Sequence, residues 1–127
     1  MRKQYFFRPS PRGLLAWDVD RLIALTRDNP RVLVALADIR ELDEPVFGSD
    51  EPATWRNLLM HVRLIDDADS QYPIILAADG RVMDGMHRVA RAARSGQHSI
   101  EAVRFATDPE PDYVGRDPGE LPYPDDA

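Results

Sequence analysis

The sequence predicts a small α+β (α/β) fold, in which helices pack on a mixed β-sheet, and three observations carry the prediction. Three segments repeat apolar residues at helical spacing: Val19–Leu25, Trp55–Ile65 and Met86–Ala93. Between them lie apolar runs too short for helices of their own: Val32–Leu36, Tyr72–Leu76 and Ile100–Phe105. Asp79-Gly80, set between two such runs, is a turn signal that returns Val82-Met83 as an antiparallel partner. The 127 residues suffice for one domain with a real core.

Residues 1–13 read as an extended arm, because Pro9, Pro11 and Gly13 stop regular structure, and Tyr5, Phe6 and Phe7 anchor it on the core. The first helix runs from Asp18, a capping residue, to about Arg27, and Asn29-Pro30 ends it. A strand over Arg31–Leu36 follows, then an acidic loop from Glu41 to Pro52. The second helix spans about Ala53 to Asp67, with Trp55, Leu58, Leu59, Val62 and Ile65 on one stripe. Tyr72–Leu76 is the next strand and pairs with Val82-Met83 across a two-residue turn. A third helix spans Met86–Ser95 and stops at Gly96, burying Met86, Val89, Ala90 and Ala93. Arg91 and Arg94 fall on its solvent side. Ile100–Phe105 is the last strand, and the Pro- and acid-rich tail after Thr107 is expected to be extended or mobile, with Tyr113, Leu121 and Tyr123 able to clip it to the body. The chain thus divides into an arm and helix (1–29), a central domain (30–106) and a tail (107–127).

Composition excludes several functions. The absence of cysteine removes disulfides, thiolate metal sites and cysteine nucleophiles. Lys3 is the only lysine, so a P-loop or Schiff-base lysine elsewhere is excluded. His61 and His98 show no ligand spacing with His87, so no metal site is expected. No run is long enough to span a bilayer, and a cytoplasmic location is expected. The net charge of -6 comes from the tail: residues 1–106 hold fifteen basic and fifteen acidic residues. That balance is no nucleic-acid footprint. The first twelve residues carry Arg2, Lys3, Arg8 and Arg12 and no acid. They suit docking on the acidic end, within one chain or between two, so a homodimer is one expected arrangement.

The candidate site is Asp84-Gly85-Met86-His87-Arg88, where a strand hands over to the third helix. A glycine before a helix opening leaves first-turn N–H groups beside a flexible turn, and the helix dipole favours an anion there. Gly85, Met86, His87 and Arg88 are therefore candidate phosphate or nucleotide ligands. Arg88 in the first turn opposes the dipole, which makes sense when an anion lies between. Asp84 either caps the turn or assists through magnesium or proton transfer. Glu41, Asp43 and Glu44 follow a strand, where one of them can serve as general base.

The segment Tyr72–Phe105 resembles the ParB/sulfiredoxin-like superfamily. The matching pattern is Pro73-Ile74-Ile75-Leu76, Asp79-Gly80-Arg81-Val82-Met83, Asp84-Gly85-Met86-His87-Arg88 and an alanine-rich helix ending in Gly96, with Val34–Arg40 similar to the opening strand and loop. The resemblance covers roughly residues 30–106 and implies an α/β domain that binds nucleotide phosphates at the motif. Partition proteins of the group bind CTP and carry a DNA-binding module for which residues 107–127 are too short. Sulfiredoxins hold a cysteine where Met86 stands, which excludes their chemistry. The free-serine kinases have the nearest motif, and their general-base glutamate corresponds to Glu41, with Glu44 second.

The expected function is binding of a nucleotide (ATP, ADP or CTP, with Mg2+) or a phosphorylated small molecule. If catalysis occurs, the chemistry is phosphoryl transfer or nucleotide hydrolysis, with Glu41, Asp84 and His87 as catalytic residues. The alternatives are a catalytically inactive protein-interaction module and a DNA-associated regulator or nuclease.

Overall fold

The computed structural model describes residues 3–48 and 51–124, so Arg2 of the basic start, Ser49 and Asp50 of the acidic loop, and the tail acids Asp125 and Asp126 lie outside the described residues. The fold is a small α+β arrangement of two sheets and three helices.

Among the described residues seven strands occur: β1 (Tyr5–Arg8), β2 (Leu15–Asp18), β3 (Val32–Ala35), β4 (Ile74–Leu76), β5 (Val82–Asp84), β6 (Ser99–Arg104) and β7 (Tyr113–Val114). The helices are α1 (Val19–Thr26), α2 (Trp55–Asp66) and α3 (Met86–Arg94), and short 3-10 turns cover Leu36–Asp38, Arg40–Asp43 and Pro118–Glu120. The main sheet has the order β3-β6-β4-β5. The β4–β6 pair is parallel, and β3–β6 and β4–β5 are antiparallel.

Strand β4 is buried on both faces, which explains why Ile74-Ile75-Leu76-Ala77 is apolar at every position rather than alternating, whereas the edge strand β3 keeps Val32 and Leu33 exposed. Ile74, Leu76, Val82 and Ala102 face α3 and the turns after β3, where they meet Leu36, Ile39, Val89 and Ala92. Ile75, Ala77, Met83 and Val103 point the other way, onto Leu15, Trp17 and Leu22. The alternation is the two-residue period of a strand applied to a sandwiched sheet.

The second layer is the small antiparallel sheet β1-β2-β7 with α1. The expected extended arm is therefore a paired strand, β2 is an element the sequence reading left out, and the tail contributes β7. Asp18 does cap α1, accepting from the N–H of Asp20. The tail is anchored rather than loose: the Trp17 indole N–H donates to the Pro109 carbonyl (2.8 Å), Leu121 is buried, and the Tyr5 hydroxyl donates to the Pro122 carbonyl (2.5 Å). Arg8 meets Asp108 at 3.3 Å, so the basic start docks on the acidic end within one chain.

Two local features differ from the sequence reading. The β4–β5 connection is the three-residue loop Ala78-Asp79-Gly80: Gly80 N–H donates to Ala77 O, Ala77 N–H to Arg81 O, and Gly80 takes φ 92°. The α3 face that turns inward carries Val89 and Ala92, whereas Ala93 is exposed. Arg91 and Arg94 are not merely solvated. Arg91 donates to the carbonyls of Asp66 (2.5 Å) and Ala68 (2.8 Å), and Arg94 grips the Asp66 carboxylate, so α3 closes the carbonyl end of α2.

Candidate functional site

The β5–α3 junction turns on Gly85, whose φ of 110° lies in the left-handed region. A Cβ there would stand 2.7 Å from Ile74 Cγ2 and 2.8 Å from Arg88 Nη2. Only glycine lets β4 and the Arg88 guanidinium approach the turn this closely. Gly85 is the N-cap of α3, and among the described residues no side chain caps the first-turn amides.

Asp84 is committed elsewhere: its Oδ2 accepts from Arg88 Nη2 at 2.9 Å, and both side chains are mostly buried. The negative charge that reconciles Arg88 with the helix dipole is therefore already in the chain. One guanidinium N–H, that of Nε, is buried without a partner among the described residues. Met86 sends its side chain into the core beneath α3, so it offers only its backbone to a ligand.

His87 projects to the other flank. Its Nε2 lies 3.2 Å from His61 Nδ1 on α2, and His61 Nε2 lies 2.7 Å from Glu51 Oε1. With both imidazoles neutral, a His61 that donates from Nε2 to Glu51 accepts at Nδ1 from His87, and this leaves His87 Nδ1 as the basic nitrogen. Phe47 covers His61 edge-on at 5.6 Å. Burial pushes the His87 pKa below its ordinary value, His61 adds to the lowering, and Asp84 opposes it. His87 and Arg88 thus leave the α3 opening toward separate environments, with the amide turn between them.

Glu41, on the second 3-10 turn, accepts the Val82 backbone N–H through Oε2 at 2.6 Å. Its Oε1 is buried with no partner among the described residues. Glu44 meets Arg81 at 3.8 Å, and Asp43 is exposed, so Glu41 is the acid brought against β5. Sequence reasoning did not anticipate the roles of His61 and Glu51. Twenty-six residues separate His61 from His87, and no spacing rule links two helices that meet side by side.

Beside Arg88 opens a cleft of about 440 Å³ between the end of α1 and the start of β4. Its floor is Ile75 and Val103, and its rim carries Arg27, Arg31, Asn29, Tyr72, Asp84 and Arg88. Among the described residues no group of three His, Asp or Glu side chains is placed to hold a metal ion. None of the described helices is long and apolar enough to cross a membrane. No protein-family model matches this chain, and neither a curated protein nor a solved structure matches it.

Proposed function

We propose that the chain binds a nucleotide (ATP, ADP or CTP) or a phosphorylated small molecule at the β5–α3 junction and acts there as a phosphotransferase or nucleotide hydrolase. The observation that carries this reading is the α3 opening itself: first-turn amides with no side-chain cap, beside an Arg88 guanidinium whose Nε is buried without a partner. Gly85 and the amides of Met86, His87 and Arg88 receive phosphate oxygens, as helix N-termini do. Arg88 offers five N–H donors, of which Asp84 engages one nitrogen, so it serves a phosphate without leaving its carboxylate.

His87, with its free Nδ1, and Glu41, with its free Oε1, are the two candidate bases for an acceptor hydroxyl or water. Positioning and charge neutralisation carry most of phosphoryl transfer, and the junction supplies both. Asp84 is paired with Arg88 at 2.9 Å, and a Mg2+ that accompanies the nucleotide would be held chiefly by its phosphates and by water.

Calorimetric titration with ATP, ADP and CTP, with and without Mg2+, tests the reading. Binding of one nucleotide is expected. In Arg88→Ala it should weaken by the ~1.5–3 kcal/mol of a charged hydrogen bond. No heat with any nucleotide, or an unchanged affinity in the variant, overturns it. The second reading, an interaction module, is favoured by the exposed apolar face of α2 and needs no phosphate chemistry.

A further inference from the structure

The cleft beside Arg88 exists because α1 is short. The helix ends at Thr26, the Asn29 N–H bonds back to the Thr26 carbonyl (3.0 Å), and Pro30 stops any further turn. Ile75 and Val103, which β4 and β6 turn toward α1, are left at the floor of an open cleft. Ile23 on α1 and Tyr72 ahead of β4 also line it, and they stay 45% and 60% exposed. The polar groups of the cleft are unevenly spent. The Thr26 hydroxyl is satisfied by donating to the Leu22 carbonyl (2.9 Å). Arg88 is held by Asp84, and Arg31 donates to the Gln71 carbonyl (3.0 Å) and lies 3.8 Å from Glu101. Arg27 has neither an ion pair nor a side-chain hydrogen bond among the described residues.

We infer that this cleft binds a small organic anion, with a carboxylate or phosphate head on a flat apolar ring. Three guanidiniums and a single carboxylate, that of Asp84, line it, in a chain whose net charge is -6. Apolar walls beside the guanidiniums concentrate their positive field, so the cleft draws an anion and repels a cation. The planar fork of arginine suits either head group. The ring lies on Ile75 and Val103 and covers the exposed apolar surface of Ile23 and Tyr72. A volume of about 440 Å³ falls within the ~300–1,000 Å³ of small-molecule sites, which combine an apolar lining with a few placed polar groups. The cleft is on the α1 side of the main sheet, whereas His87 meets His61 on α2. It stands whether or not the α3 opening takes a phosphate.

Methyl-detected NMR on the full chain tests the inference, with α-naphthoate and α-naphthyl phosphate as probes and α-naphthalenemethanol as the uncharged control. At least one acid should shift the methyl signals of Ile23, Ile75 and Val103 to saturation and bind about tenfold more tightly than the alcohol. The tighter acid identifies the head group. Arg27→Glu changes an exposed side chain outside the α3 opening, so the fold is kept. It should weaken that acid by about tenfold or more, as loss of a charged hydrogen bond does. Nucleotide affinity should not change in the same variant, which separates failure of this site from failure of the α3 opening. Absence of shifts at Ile75 and Val103 with both acids overturns the inference. So do equal affinities for acid and alcohol, or an unchanged affinity in Arg27→Glu. Shifts confined to Leu58, Leu59 and Val62 overturn it as well, because they put the ring on α2 instead.

Discussion

Two side chains show how a single residue holds fold and chemistry together. Glu41 uses one carboxylate oxygen to satisfy the buried Val82 N–H and keeps the other unpartnered. Glu41→Ala orphans that N–H and is expected to destabilise the fold by ~1–3 kcal/mol in urea unfolding. Glu41→Gln keeps an acceptor in place, so it should unfold near the wild-type midpoint while losing any general-base activity that Glu41 supplies. His87 adds a pH dependence. Its folded pKa lies below the unfolded value of 6.5, chiefly through burial. The unfolded chain therefore binds the proton more readily, and the contribution is fully present above about pH 6.5 and is lost as pH falls through the folded pKa. Melting scans from pH 8 to pH 5 should show a steeper loss in wild type than in His87→Asn; parallel curves would remove this linkage.

At the scale of elements, α2 is held by few contacts: the His61–His87 link on its side and the arginines of α3 at its end. Arg91→Ala leaves the carbonyls of Asp66 and Ala68 without that donor. The expected loss is ~1–2 kcal/mol, with hydrogen exchange accelerated over 61–68 and unchanged in β4. Uniform exchange across the molecule would show that α2 is not separately anchored. The three helices and the strands β3 to β6 were legible because each has its own period, cap or breaker, such as Asp18 ahead of α1 and Gly80 in the hairpin. Strands β1, β2 and β7 were not. Leu15–Asp18 is only four residues long, and the prolines around β1 and β7 read as interruptions although they flank the paired residues. The stripe on α2 announced a helix correctly, but periodicity carries no information about what lies against the stripe. The motif announced its own turn. The partner of His87, His61, and the Glu51 that holds His61 come from a different helix and loop, which local pattern does not reveal.

At the scale of the whole molecule, the two end segments are structural. Without the tail the buried Trp17 loses its acceptor at Pro109, and the buried Leu121 is lost with it. Truncation after Ala106 removes β7, the Asp108 and Asp112 contacts, and Leu121. It should lower the melting temperature by several degrees and weaken the near-UV signal of Trp17, the change expected of roughly 2 kcal/mol or more. A truncated chain that melts like the full one would show that the tail adds no stability.

The seam between Tyr5 and Pro122 brings both ends of the described polypeptide to one place. A linker of a few residues can therefore join them. New ends can then be opened in the exposed Asp43–Val46 stretch without cutting any strand pairing. Such a permuted chain begins with α2 and runs through β6 and β7 before it reaches β1 and β2, so β3 of the main sheet becomes the last strand synthesised.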